Sequence, residues 1–224
     1  MDEATGESEN KKRKKGILSP ALTVFAVLCL LFGLGTIGYQ MLVPPEGAST
    51  DMAGNWVKPE ESISEKELQA MAAEPEIKGK RFQVPSVGLD APLGAMNLVG
   101  DTINPPGFHS VFWIRNMGVS VQNADKGTVY LVTHSLRNGG MGPGNYLIDV
   151  ENGKGRVGVG ADMYIDKVKY TVTEVVSVPK SKIGSAAGVW DQSISGRAIV
   201  ITCLQRVDNG ASRNNIIIIG KLSK

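Results

Sequence analysis

Two β-branched runs flanking a loop of turn formers constrain this chain more than any other stretch. The first, Ile199-Val200-Ile201-Thr202, ends at Cys203; the second runs from Ile216 to Ile219. Between them lie Asp208, Asn209, Gly210 and Ser212, and Arg213 closes the loop. β-Branched residues around a Gly/Asn/Asp loop predict two antiparallel strands. Four consecutive isoleucines predict a strand buried on both faces. An antiparallel connection brings the end of one strand and the start of the next to the same end of a sheet. Cys203 and Arg213 are therefore expected together, a thiol beside a guanidinium that favours its ionised form or donates to an oxyanion.

The rest of the composition agrees with a β protein. Glycine numbers 27 in 224 residues, helical periodicity is scarce, and short Val/Ile/Thr/Tyr runs recur. The formal net charge of +2 hides an asymmetry. Residues 1–43 hold five basic and four acidic residues, and the five are contiguous, Lys11-Lys12-Arg13-Lys14-Lys15. The totals of 24 and 22 leave 19 basic against 18 acidic for residues 44–224. A nearly neutral folded part gives no reason to expect a nucleic-acid partner.

Ile17 to Val43 carries no charged side chain. As a helix it would span roughly 40 Å, enough to cross a hydrocarbon core of about 30 Å. It is too long for the apolar part of a signal peptide, and no clear A-x-A site follows it. The adjacent basic run reads as a topology signal rather than a nuclear address: residues 1–16 cytoplasmic, residues 17–43 a transmembrane anchor, the remainder extracytoplasmic. Residues 44–79 read as a linker, with a short helix over Ser64 to Ala73 capped by Ser64 and Glu67.

From residue 80 the strand signals begin. Candidates are Arg81 to Val84, Val87 to Leu93, Val111 to Ile114, Gly127 to His134, Tyr146 to Val150, Met163 to Ile165 and Lys169 to Val178, before the closing pair. About eight strands in roughly 145 residues predict an all-β barrel or sandwich over residues 80–224. Asn104-Pro105-Pro106-Gly107 is a turn, Arg137 to Gly144 a glycine-rich loop, and Lys180 to Gly196 a long loop with a helical turn near Trp190.

Cys29 falls inside the apolar run, so Cys203 is a lone thiol in the outer domain. A buried inert cysteine is the bland reading. The polar loop and the arginine beside Cys203 favour a nucleophile. Such a nucleophile needs a proton partner, and the chain has two histidines, His109 and His134. His134 ends the strand GTVYLVTH as Cys203 ends AIVITC. Parallel neighbours would bring both side chains to one rim, so His134 is preferred over His109. No Cys/His spacing matches a zinc site, and no EF-hand loop is present. Asn138 to Gly144 lacks the Lys-Ser/Thr of a phosphate loop. No cofactor or metal is expected. Trp113 and Trp190 read as core or groove residues.

The order of these features, an N-terminal anchor, a strand ending in His134, an Ile-Thr-Cys strand end at Cys203 and Arg213 opening the last strand, resembles the sortases, cysteine transpeptidases of Gram-positive cell walls. The resemblance covers about residues 80–222. Asn104-Pro105-Pro106, Val111-Phe112-Trp113, Val178-Pro179-Lys180 and Arg213-Asn214-Asn215 resemble the class F group of actinobacteria. The chain departs from the family at Thr133, where glycine is frequent, at Ser135-Leu136 in place of Val-Asp, and at Leu204-Gln205 in place of the Gly-Gly of class F. The resemblance implies the eight-stranded sortase barrel. It implies Cys203 as nucleophile toward the threonyl carbonyl of an LPXTG-like C-terminal sorting signal. His134 is then the proton carrier and Arg213 the oxyanion donor. The partners implied are secreted proteins bearing that signal, and an amine of a cell-wall precursor or a pilin lysine. Two rivals stay open. An L,D-transpeptidase places His-Gly before its cysteine, where this chain has Ile201-Thr202. A membrane-tethered β-domain would only bind peptide or wall glycan.

Overall fold

The computed structural model describes residues 20–45, 47–59, 63–100, 103–186 and 188–223; the basic run at Lys11–Lys15 lies outside them. The chain divides into two units, Met1–Pro44 and Pro45–Lys224.

Among its described residues the first unit holds helix α1 (Pro20–Leu42), of 23 residues. It has no charged residue, and apolar side chains such as Leu22, Phe25, Leu31 and Leu34 are exposed, Phe32 at 75%. It is long and apolar enough to cross a membrane.

The second unit opens with a small hairpin, β1 (Ser49–Thr50) and β2 (Trp56–Val57), and continues into helix α2 (Glu65–Met71). The expected capping box forms: the Glu67 amide donates to Ser64 Oγ at 3.3 Å, and the Ser64 amide to the Glu67 carboxylate at 2.9 Å. The segment read as a linker therefore carries elements that pack on the barrel. Met71 is buried, and Glu74 forms a bridge with Ala95.

The barrel strands come next: β3 (Arg81–Val84), β4 (Leu89–Met96), β5 (Val111–Gly118) and β6 (Thr128–Val132). A helical turn, α3 (Pro143–Leu147), leads to the two-residue strands β7 (Ile148–Asp149) and β8 (Lys154–Gly155). Strands β9 (Asp162–Ile165), β10 (Val168–Pro179), β11 (Arg197–Leu204) and β12 (Asn214–Leu222) complete it. Eight of these strands close in the order β10-β12-β11-β6-β5-β4-β3-β9, with β9 returning to β10. Closure removes the open edges of the barrel sheet. The all-β, eight-stranded expectation holds.

Two details differ from the sequence reading. Tyr146 to Val150 is not one strand. Pro143 pre-sets a helical turn, and the Gly142 amide donates to Asn145 Oδ1 at 2.8 Å, so only Ile148–Asp149 is extended. Strand β4 begins at Leu89 and runs through Pro92 to Met96, where the sequence candidate spanned Val87 to Leu93. Its pairing with β5 starts at Leu93, so the missing Pro92 amide deprives that ladder of no bond.

Alternation along the strands splits the core in two. Ala198, Val200, Ile216 and Ile218 point inward with residues from every barrel strand. Ile199, Ile201, Ile217, Tyr130 and Val132 point outward, where Met71 of α2 and Val189 of the 180–196 segment cover them. The isoleucine run is thus buried on both faces, as its composition requires.

Candidate active site

Strands β6 and β11 are parallel neighbours, paired from Arg197↔Thr128 to Ile201↔Val132. That register is an offset of 69 residues, and Cys203 and His134 share it. The ladder extends by one bond, from the Thr133 amide to the Ile201 carbonyl at 3.1 Å. Cys203 remains in β11, opposite Asn215 of β12, while His134 lies just past the end of β6. Both stand on the outward face with Ile201 and Val132, and both are half-buried.

A groove of about 1350 Å³ opens over this end of the barrel and is lined by both residues. Its walls include Trp56 of β2, Ile103 and Phe108 before β5, and Ile183 and Trp190 of the 180–196 segment. Trp190 lines it as the sequence suggested. Trp113 instead packs against the inner core.

The turn before β5 orients His134. The imidazole Nε2 lies 2.8 Å from the Pro105 carbonyl. A carbonyl only accepts, so Nε2 carries the proton and Nδ1 is the position where a neutral ring is basic. The Phe108 ring packs against the imidazole with centroids 5.1 Å apart and planes tilted by 57°. The Asn104-Pro105-Pro106-Gly107 turn, legible only as a turn, thus supplies the orienting acceptor. Gly144 donates its amide to the His134 carbonyl at 2.9 Å. A side chain there would collide with Thr202 Oγ1 and with that carbonyl, so the loop after His134 packs this closely only with glycine at 144.

The long loop is fixed by a buried cation. Arg197 is 8% exposed, and its guanidinium donates to Thr128 Oγ1 at 3.0 Å and to the Gly188 carbonyl at 2.6 Å, as well as to the Asp191 carbonyl. Tyr130 donates its hydroxyl to the Val189 carbonyl at 2.9 Å, and its ring stacks on Trp190. These ties preorganise one wall of the groove.

Arg213 is exposed and lines a smaller adjacent pocket of about 310 Å³ with Leu204 and Asn214, not the groove that holds Cys203. Its backbone carbonyl accepts from the Lys180 amide at 2.9 Å, joining the start of β12 to the loop wall. Arg137 does line the groove, and its Nη1 donates to the Asn209 carbonyl at 3.1 Å. Sequence reasoning passed over Arg137, Ser135 and Gln205, because loop path rather than strand pattern brings them to the site. His109 does not line the groove; its Nδ1 is buried without a hydrogen-bond partner. Among the described residues no three His, Cys, Asp or Glu side chains cluster as metal ligands.

No family model matches the sequence, and no curated protein does. Solved structures to which the chain is similar include sortase A of Listeria monocytogenes, at 20% identity and a TM-score of 0.44, over 65% of this chain and 87% of that one. Sortase C1 of Streptococcus agalactiae, in complex with MTSET, aligns at 16% identity and a TM-score of 0.44, over 67% and 70%. Sortase C-1 of Actinomyces oris aligns at 16% identity and a TM-score of 0.44, over 65% and 73%.

Proposed function

We propose that this chain is a membrane-anchored cysteine transpeptidase of the sortase type. One observation supports the reading above all: Cys203 near the end of β11 and His134 just past the end of the parallel β6 share the same register offset and line one groove. The motifs at Asn104-Pro105-Pro106, Val111-Phe112-Trp113, Val178-Pro179-Lys180 and Arg213-Asn214-Asn215 carry the finer class F assignment.

The chemistry follows from that pairing. Cys203 gives its proton to His134, and the thiolate attacks the carbonyl carbon of the scissile peptide bond in an LPXTG-like sorting signal. As the tetrahedral oxyanion collapses, the C–N bond breaks and the imidazolium passes its proton to the leaving amine. A thioester remains on Cys203. An incoming amine, from a cell-wall precursor or a pilin lysine, then attacks that thioester while His134 takes its proton. The new C–N bond forms and the thiolate departs. Water in place of the amine gives hydrolysis. Arg213 is the proposed oxyanion donor, reaching Cys203 by rotation of its side chain. An anchor in the membrane that also holds substrate tail and lipid-linked acceptor raises their effective concentration.

The test is cleavage of a sorting-signal peptide together with labelling by a peptide vinyl sulfone. Cys203→Ala is expected to abolish cleavage, His134→Ala to remove most of it, and His109→Ala little. The probe should label Cys203 in the wild type and not in His134→Ala. Near wild-type cleavage by Cys203→Ala would overturn the reading. Binding of peptide with neither cleavage nor labelling would assign the domain to recognition alone.

A further inference from the structure

We propose that Ser135 and Gln205 are a positioning pair that holds His134 against Cys203 where the sheet no longer does so. The proposal rests on the reading of Cys203 and His134 as reacting partners.

The parallel ladder between β6 and β11 stops short of both residues. Its last backbone bond runs from the Thr133 amide to the Ile201 carbonyl. Beyond it, among the described residues, no backbone hydrogen bond joins the two strand ends. Side chains take over at that point. The Ser135 hydroxyl donates to the Cys203 carbonyl at 2.5 Å. Gln205 Nε2 donates to the Ser135 carbonyl at 2.7 Å and to Ser135 Oγ at 3.1 Å. These bonds span from the residue after His134 to Cys203 itself and to the residue two beyond it. Ser135 is 4% exposed and Gln205 8%, so water does not compete for them.

The directions are fixed by valence. Ser135 has one hydroxyl proton, spent on the Cys203 carbonyl, so its oxygen can only accept from Gln205. Both neighbours of Nε2 are oxygens, so the reversed amide would set Oε1 against them. This orientation leaves Oε1 buried without a hydrogen-bond partner among the described residues. That is a standing free-energy cost which an apolar side chain would avoid. The amide supplies in return a fixed separation between the peptide units that carry the thiol and the imidazole. A displacement of 1 Å at a reacting pair can lower turnover by about 10²-fold. Ser135 and Gln205 occupy places where the chain departs from its resemblance, so the lock belongs to this sequence rather than to the motif that located the site.

The experiment uses the full chain in detergent with Cys29→Ala, so that Cys203 is the one thiol. The rate of alkylation by iodoacetamide is followed from about pH 5 to 10, beside kcat and KM on one sorting-signal peptide. Ser135→Ala and Gln205→Glu are compared with His134→Ala; glutamate keeps the volume of Gln205 and loses the donor. Both are expected to shift the alkylation profile toward that of His134→Ala. Both should also lower kcat by about 10- to 100-fold with KM within about twofold of wild type. Profiles and kcat identical to wild type would overturn the proposal, even with lowered thermal stability. If the wild type and His134→Ala profiles themselves coincide, the Cys203–His134 partnership fails first and the positioning pair with it.

Discussion

The placement of Cys203 and His134 at one end of two parallel strands was legible because each ends an apolar β-branched run, and the two runs share one register. The arginine was less so. A hairpin argument brings Arg213 to the correct end of the sheet, and Asn215, directly opposite Cys203, confirms that much of the geometry. It does not set the side chain, which is exposed and turned to the smaller pocket. Arg213 lies just before β12 begins at Asn214, so strand register does not fix its side chain relative to Cys203. Arg137 already lines the groove, but it sits in a glycine-rich loop that no periodicity could fold in advance. The two guanidiniums make a discriminating experiment. Removing one oxyanion donor typically costs about 10²–10³ in turnover. Arg213→Ala is expected to lose that much kcat/KM, and Arg213→Lys to stay far below wild type, because lysine keeps the charge without the planar fork. Arg137→Ala should lose under about tenfold, the effect of a groove-lining charge outside the transition state. The reverse pattern would transfer the oxyanion role to Arg137, and near full activity of Arg213→Lys would mean that charge alone suffices.

At the scale of elements, the strands follow from β-branched runs and the α2 cap from Ser64 and Glu67, because both signals are local. Tyr146 to Val150 misled because β-forming side chains there come after Pro143 and Asn145, whose backbone chemistry wins. The contacts of residues 47–59 were illegible for another reason: alongside the backbone bond from the Met52 amide to the Met141 carbonyl, they use one buried carboxylate. Asp51, 4% exposed, accepts from the amides of Ala53 at 2.9 Å, Asn55 at 2.8 Å and Met141 at 2.8 Å. The last of these ties the β1–β2 hairpin to the loop after His134, and the hairpin supplies Trp56 to the groove wall. Burial pushes the Asp51 carboxyl up, but the combined hydrogen bonds from Met141, Asn55 and Ala53 outweigh it and hold the group below its ordinary value. A carboxylate depressed in the folded state stabilises fully above its unfolded pKa, about 3.9, and loses that contribution as pH falls through the folded value. Asp51→Asn presents an amide to backbone donors and has no charge to titrate. It is expected to lower stability at pH 7 by about 2–3 kcal/mol, the scale of hydrogen bonds to a charged group. Urea unfolding at pH 7, 4 and 3 should show the gap to wild type narrowing only below about pH 4. A gap that is constant across that range would mean that shape, not charge, holds the hairpin.

For the molecule as a whole, the consequential feature is the uncharged stretch rather than the barrel. Helix α1 of 23 residues would rise about 34 Å at 1.5 Å per residue, more than a hydrocarbon core of about 30 Å. It exposes apolar side chains all round, and a helix of that kind in water would carry a large hydrophobic cost. Either it sits in a bilayer permanently or it is a leader removed after export. The apolar run is longer than the apolar part of a signal peptide, and its flanks also favour the anchor. The run Lys11–Lys15 precedes the helix, and such clusters are retained on the cytoplasmic side. No A-x-A pattern follows the helix closely; Ala70-Met71-Ala72 comes only at the end of α2. The expected arrangement is a single span with residues 1–16 inside and the barrel outside, which is also where a sorting signal and a wall-precursor amine would meet it. Protease added to intact protoplasts should degrade the barrel and leave a membrane-bound fragment that contains α1. The untreated protein should sediment with membranes at its full mass of 23.8 kDa. Complete protection from protease would reverse the topology. A membrane-free form shortened by the first forty-odd residues would make α1 a leader, and the gain in effective concentration argued for the transpeptidase would go with it.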